Sequence, residues 1–248
     1  MIPYIKGQLT QGKTAVVTGA NRGIGKAITE TLLAHGCKVI AAVRDTHSAK
    51  LLFDYNPQLH FVELDLSQSD KVKSAVKEVR AISKSVDILI NCAGIASGSL
   101  FQLTSIEEMK QLFEVNLFNQ LLLSQQISRL MHRQKSGCII NILSSATHQI
   151  DKGTLAYGCT KSAFERASLS MALELADIGI RVNAIAPGVT LTDMADEMDQ
   201  QAKTDLVSRS LLKKAASAQD IANTALFLCS DLSSHITGQV INVDGGLI

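Results

Sequence analysis

The chain has 248 residues, 46% of them hydrophobic, 19% charged and 4% aromatic, with 24 basic side chains against 23 acidic ones and no Trp. A chain this apolar buries a sizeable core, which excludes wholesale disorder. A formal charge of +1 and few aromatics exclude an electrostatic nucleic-acid footprint, an anionic-membrane partner and a stacking platform for bases.

Short apolar runs alternate with longer amphipathic stretches from end to end. They predict strands at 14–18 (TAVVT), 38–43, 59–64, 86–91, 138–143, 180–186 and 239–243. Between them, helical spacing predicts helices at 23–35, 68–84, 105–134, 156–177 and 218–230, with a weaker one at 46–54. Seven strands separated by helices imply right-handed crossovers and a buried parallel sheet. The expected fold is α/β, a single doubly wound Rossmann-type domain over 1–248 with a seven-stranded parallel sheet. Three prolines and no Gly/Pro linker agree with one domain. The stretch 190–214 breaks the rhythm. It reads as a strandless lid, acidic first (Asp193, Asp196, Glu197, Asp199) and basic later (Arg209, Lys213, Lys214).

No run approaches roughly 18 apolar residues, and the opening MIPYIKGQLTQGK has no apolar leader core. The five cysteines form no CxxC pair and the six histidines show no metal-ligand spacing. A cytoplasmic location, free thiols and no bound metal are expected.

Residues 18–25 read TGANRGIG, directly after the first apolar run. A strand, a glycine turn and a helix start together aim backbone N–H groups and a positive helix end at a pyrophosphate. Gly19 permits the tight turn, Gly23 a close approach to phosphate, and Gly25 close packing of helix on sheet. Asn21, Arg22 and Ile24 complete the candidate cofactor loop. Further on, Tyr157 and Lys161 stand i and i+4 on a predicted helix and so share a face. An ammonium near a phenol lowers the phenol pKa, which suits a general acid/base for carbonyl/alcohol interconversion.

These motifs resemble the short-chain dehydrogenase/reductase family. TGANRGIG is similar to its TGxxxGIG turn, YGCTK (157–161) to its YxxxK, and NCAG (91–94) to its NNAG with Cys92 in place of the second Asn. APG (186–188) followed by TDM (192–194) is similar to its PG loop. The resemblance runs from about Thr14 to Gly246. It implies that Asn116, Ser144, Tyr157 and Lys161 are the catalytic residues. Ser144 would polarise the substrate oxygen. Asn116 would hold a water linking Lys161 to solvent, and Tyr157 and Lys161 would also bind the cofactor ribose.

For the cofactor, Asp45 lies about 20 residues past the glycines, where an acid on the ribose would suggest NAD. The resemblance instead puts the discriminating position at Val43, followed by Arg44. With Arg22, this arginine can clamp a 2′-phosphate, so NADPH/NADP+ is expected. The resemblance also places Asp65 and Leu66 at the adenine. Asn91, Ala93 and Gly94 fall beside the adenosine, and Pro187, Gly188, Val189 and Thr190 beside the nicotinamide.

The C-terminal third is most similar to the family's 3-oxoacyl-[acyl-carrier-protein] reductases. That implies reduction of a carrier-linked 3-oxoacyl thioester to the (3R)-hydroxyacyl thioester in fatty-acid synthesis. Arg129 matches one arginine used for the acidic carrier, whereas the second falls on Leu173, with Arg166 nearby but not equivalent. Other substrates remain open: a CoA thioester, a sugar or a steroid-like alcohol. Ala96, Ser97, Thr147, Gln149 and Ile150 would line the deciding pocket. A non-catalytic nucleotide sensor is the alternative of another class. The resemblance further implies a homotetramer. The apolar end Gly246-Leu247-Ile248 suits either an interface or closure of the chain's own core.

Overall fold

A computed structural model describes residues 8–196 and 198–247. In chain order the elements are β1 (Thr14–Thr18), α1 (Gly23–Ala34), β2 (Lys38–Val43), α2 (Thr46–Lys50), β3 (Leu59–Glu63) and α3 (Ser69–Ile82). Then come β4 (Ile88–Asn91), α4 (Ile106–Phe113), α5 (Asn119–Gln134), β5 (Gly137–Ile142), α6 (Leu155–Leu175) and β6 (Ile180–Pro187). The chain closes with β7 (Thr190–Leu191), α7 (Asp193–Asp196), α8 (Gln200–Arg209), β8 (Ala216–Ser217), α9 (Ala218–Cys229) and β9 (Val240–Val243).

The main sheet has seven strands in the order β3-β2-β1-β4-β5-β6-β9, paired in parallel throughout. The alternation of each strand divides the core in two. Ala15, Val17, Ile88, Ile90 and Ile140 face α1 and α9, where they pack with Ile28, Leu32, Ile221 and Leu228. Val16, Ile40, Leu89 and Ile139 face the opposite layer, against Val72 and Val76 of α3 and Leu123, Ile127 and Met131 of α5. Strand order reverses between β1 and β4, the topological switch point where such sheets open a crevice beyond their carboxyl ends. Among the described residues no helix is long and apolar enough to cross a membrane.

Three expectations change. The helix expected over 105–134 is broken: a π-turn, Glu114–Phe118, separates α4 from α5. The weak helix at 46–54 is only the five residues of α2. The segment 190–214 is not strandless, because β7 pairs in parallel with β8 and holds α7 and α8 beside the end of β6. The chain end meets this segment: the Leu211 and Leu212 N–H groups donate to the Gly246 and Gly245 carbonyls at 3.0 Å each. The described part of the C-terminal tail therefore closes on this segment of its own chain. Ile248 and Glu197 lie outside the described residues.

Candidate active site

The glycine turn is built by close contact. Gly19 and Gly23 adopt φ of +65° and +50°, the left-handed region that favours glycine. A Cβ on Gly19 would meet the Ala93 Cα at 2.9 Å, and one on Gly25 would meet the Gly19 carbonyl oxygen at 2.2 Å. The turn between β1 and α1 is thus pressed against the end of β4. Thr18 sets this junction, since its hydroxyl accepts the Cys92 and Ala93 N–H groups at 2.9 Å each. Arg22 occupies the cap position of α1 with no side-chain hydrogen bond to the helix end. The first-turn N–H groups keep no side-chain cap, which fits a bound pyrophosphate.

At the rim, Val43 is buried at the tip of β2 and Arg44 is exposed beside it. Asp45, the residue that would suggest NAD, is used otherwise. Its carboxylate caps α2, accepting the His47 and Ser48 N–H groups at 2.9 and 3.2 Å. Asp65 accepts the Ser67 N–H at 2.9 Å; that bond above all, with Gln68 and a smaller pull from Arg44, holds its carboxyl below the ordinary value. Leu66 is buried beneath it. Arg22 stands half-exposed, its guanidinium 3.7 Å from Asp193 of α7. The Asn91 side chain turns inward, donating at 2.8 Å to both Ser124 and Asn141, while Asn141 donates to Ser168. Asn91 therefore offers a ligand its backbone and not its amide.

The π-turn places Asn116. Widening the helix there turns its side chain onto the Ile95 backbone: Oδ1 accepts the Ile95 N–H at 2.9 Å and Nδ2 donates to the Ile95 carbonyl at 2.8 Å. Nδ2 also lies 3.2 Å from the Thr160 hydroxyl, one residue before Lys161. Lys161 is buried, and its Nζ donates to the Ile142 carbonyl at the end of β5 at 2.9 Å. A Cβ on Gly94 would stand 3.2 Å from Asn116 Oδ1 and 3.7 Å from Lys161 Nζ, so these three positions form one cluster. Lys161 Nζ is 5.8 Å from the Tyr157 ring centroid. Ser144 follows β5 by two residues. It opens a 3-10 turn, Ser145–Thr147, by accepting the Ala146 N–H at 3.2 Å.

The expected depression of the Tyr157 pKa is not what the structure shows. Burial raises the phenol above its ordinary value, with the Ser144 hydroxyl pulling the other way. Burial also lowers Lys161 to about 8. The ammonium addresses the Ile142 carbonyl, and desolvation is the largest influence on both groups. A phenol kept neutral still carries the proton that an alkoxide would take.

The PG loop lies across the crevice. Pro187 ends β6 opposite Val243, and a Cβ on Gly188 would meet Asp244 at 2.8 Å. The Val189 carbonyl accepts the Ala216 N–H at 2.9 Å and Thr190 donates to the Gly188 carbonyl at 3.1 Å. Two loops flank the substrate side. The Ser99 N–H donates to the Gly153 carbonyl at 3.0 Å. From α8, Arg209 grips Asp151 through both carboxylate oxygens, at 2.9 and 3.0 Å. Of the expected pocket residues, Ile150 is 95% exposed at this rim. Arg129 is exposed on α5, where it donates to Gln126 at 3.5 Å; Leu173 is exposed on α6.

Sequence reasoning missed Thr18, Thr160, the Ile95 and Ile142 backbones, and Gln120, which donates to the Ala93 carbonyl. Thr18 opens the TGANRGIG motif and was open to notice. The backbone acceptors carry no side-chain signal.

A parallel sheet with a glycine turn at its switch point, and a Ser/Tyr/Lys/Asn cluster at the same edge, define a dinucleotide-dependent oxidoreductase fold. A family model described as "Enoyl-(Acyl carrier protein) reductase" matches residues 19–248, and the chain belongs to the short-chain dehydrogenase/reductase family. A 3-oxoacyl-[acyl-carrier-protein] reductase of Aquifex aeolicus is 36% identical over 242 residues, covering 96% of this chain and 98% of the relative. A gluconate 5-dehydrogenase of Burkholderia cenocepacia, solved in complex with NADP and tartrate, superposes with a TM-score of 0.90 at 28% identity, covering 97% and 96% of the two chains. A 7α-hydroxysteroid dehydrogenase complexed with NADH and a 7-oxo bile acid superposes at 0.92 with 29% identity, covering 98% and 96%.

Proposed function

We propose that this chain is an NADPH-dependent reductase of 3-oxoacyl thioesters carried on acyl carrier protein, giving the (3R)-hydroxyacyl thioester. The near-full-length likeness to 3-oxoacyl-[acyl-carrier-protein] reductases supports the substrate. The observation that carries the chemistry is the cluster of Gly94, Asn116 and Lys161, with Ser144 beside the Tyr157 phenol.

The cofactor, when bound, supplies a hydride to the carbonyl carbon. The uncapped start of α1 and the turn Gly19–Gly25, including Asn21 and Ile24, hold its pyrophosphate. Arg22 and Arg44 hold a 2′-phosphate, a role open to them because Val43 carries no acid and Asp45 is engaged in capping α2. Asp65 and Leu66 bound the adenine side. The Asn91 backbone, Ala93 and Gly94 line the adenosine side, and Pro187, Gly188, Val189 and Thr190 the nicotinamide side. Tyr157 gives its proton to the developing alkoxide, and Ser144 donates to the same oxygen. Lys161 steadies the phenolate and, with a water held near Asn116, returns a proton toward Tyr157 from solvent. Tyr157 and Lys161 also meet the ribose.

The matching family model is named for an enoyl substrate, in whose reduction the proton ends on carbon. Two hydroxyls converging on one oxygen favour the ketone. Reduction of another ketone is the second reading, and the gluconate and steroid neighbours favour it. The same proposal takes residues 1–248 as one domain, docks the carrier at Arg129, and places a homotetramer in the cytoplasm. The test follows NADPH and NADH oxidation with 3-oxobutanoyl and 2-butenoyl thioesters on carrier and on CoA, a keto-gluconate and a 7-oxosteroid. Fastest turnover of the carrier-linked 3-oxo thioester with NADPH is expected. No turnover of either 3-oxo thioester overturns the reading.

A further inference from the structure

At the amino-terminal edge of the sheet, the end opposite Tyr157, lies a cavity of about 380 Å³ lined by Lys13, Cys138, Arg181, Cys229 and Asp231 among others. None of these residues serves the chemistry above. Cys138 is the second residue of β5 and sits beside Arg181 of β6 in the parallel register. Cys229 is the last residue of α9. The Cys138 thiol donates to the Leu228 carbonyl at 3.3 Å, the peptide that leads directly into Cys229. Arg181 brackets the same residue, donating to the Leu228 carbonyl at 2.8 Å and toward the Ser230 carbonyl at 3.5 Å. Lys13 donates to the Cys229 carbonyl at 3.3 Å. Two buried cysteines thus line one cavity, with Arg181 and Lys13 beside them.

We propose that Cys138 and Cys229 form a redox-active thiol pair that hydroperoxides convert to a disulfide joining β5 to α9. The pair is unequal. Contact with the Cys229 thiol, aided by Arg181 and Lys13, draws Cys138 down, while Cys229 is driven well above the ordinary thiol value by Cys138 and by burial. Cys138, once it gives up the proton it holds toward the Leu228 carbonyl, is therefore the nucleophile and Cys229 the resolving thiol. The Cys138 sulfur attacks one peroxide oxygen. The S–O bond forms, the O–O bond breaks, and the departing oxygen takes up the proton that Cys138 gave up and leaves as water, or as the alcohol of an organic peroxide. The Cys229 sulfur then attacks the Cys138 sulfenic acid, the S–S bond forms, and the hydroxyl leaves as water with the Cys229 proton. Cys37 does not compete: it is not among the residues lining the cavity, and burial pushes its thiol up to about 12.

The experiment exposes the full-length protein to hydrogen peroxide, alkylates remaining thiols and maps the unreduced digest by mass spectrometry. The expected result is loss of two of the five free thiols and a single cross-linked peptide pair, 138 with 229, reversed by a dithiol reductant. A parallel incubation with dimedone should label Cys138 in Cys229→Ser and label nothing at 229 in Cys138→Ser. Wild-type protein alone also decides the matter: both thiols fully alkylated after peroxide, or a cross-link through Cys37, Cys92 or Cys159 instead, overturns the proposal.

Discussion

Replacing Gly25 by Ala tests how the cofactor turn is built. Gly25 belongs to α1, so on propensity alone the change should stabilise the helix by about 1 kcal/mol. The structure says otherwise. The new methyl would stand 2.2 Å from the Gly19 carbonyl oxygen, 2.8 Å from its carbon and 3.3 Å from the Ala20 Cα. These are backbone atoms, so no side chain can swing aside, and the turn must move away from α1. Forced overpacking of this kind costs ~1–3 kcal/mol. Net stability should change little, because the two effects oppose each other. The displaced atoms are those proposed to hold the pyrophosphate, so the strain should appear in binding. At 1.4 kcal/mol per decade, NADPH affinity should fall by about 5- to 150-fold. The chain has no Trp, so enhancement of the cofactor's own emission reads the titration, with thermal unfolding alongside. A Gly25→Ala protein that binds NADPH within about twofold of wild type, at unchanged Tm, would refute the packing argument.

Lys161, pushed down to about 8, is charged below that pH and neutral above it. Reductase kcat that depends on its ammonium should decline as pH rises through about 8, while the raised Tyr157 stays protonated there; a profile flat into strongly alkaline pH contradicts this. Arg22→Ala with Arg44→Ala removes the proposed 2′-phosphate clamp. At ~1.5–3 kcal/mol per charge-assisted bond, kcat/KM for NADPH should drop at least about tenfold and that for NADH should hold; an equal loss on both cofactors counts against the clamp. Arg209→Ala frees α8 from Asp151. The pair is about one-third exposed, so the effect should be modest, ~1 kcal/mol, seen as a higher KM for the acyl substrate with the NADPH KM unchanged.

Periodicity located the sheet because β1 alternates Ala15 and Val17 on one face with Val16 on the other, and both faces are buried. It could not find the break in the helix at 105–134. The apolar stripe runs on through Glu114–Phe118, and only the two bonds from Asn116 to the Ile95 backbone account for the π-turn. The glycines were readable as a turn, but their reason was not, since Gly19 answers to Ala93 from a distant strand. Asp45 shows the limit of spacing rules: it stands at the expected distance, yet an Asx cap on α2 claims its carboxylate. The Tyr157/Lys161 pair was visible as i, i+4. The direction of the Tyr157 shift was not, because it depends on burial of the phenol in the folded chain.

The central claim is tested most directly by a single turnover of 3-oxobutanoyl-carrier with NADPH deuterated at the transferable position, in wild type and Tyr157→Phe. The account predicts a 3-hydroxybutanoyl product with one deuterium on C3 from wild type. It predicts a loss of rate on the order of 100-fold or more in Tyr157→Phe, far exceeding any loss of NADPH affinity from the missing ribose contact. Deuterium absent from the product, or a variant as fast as wild type, would contradict it.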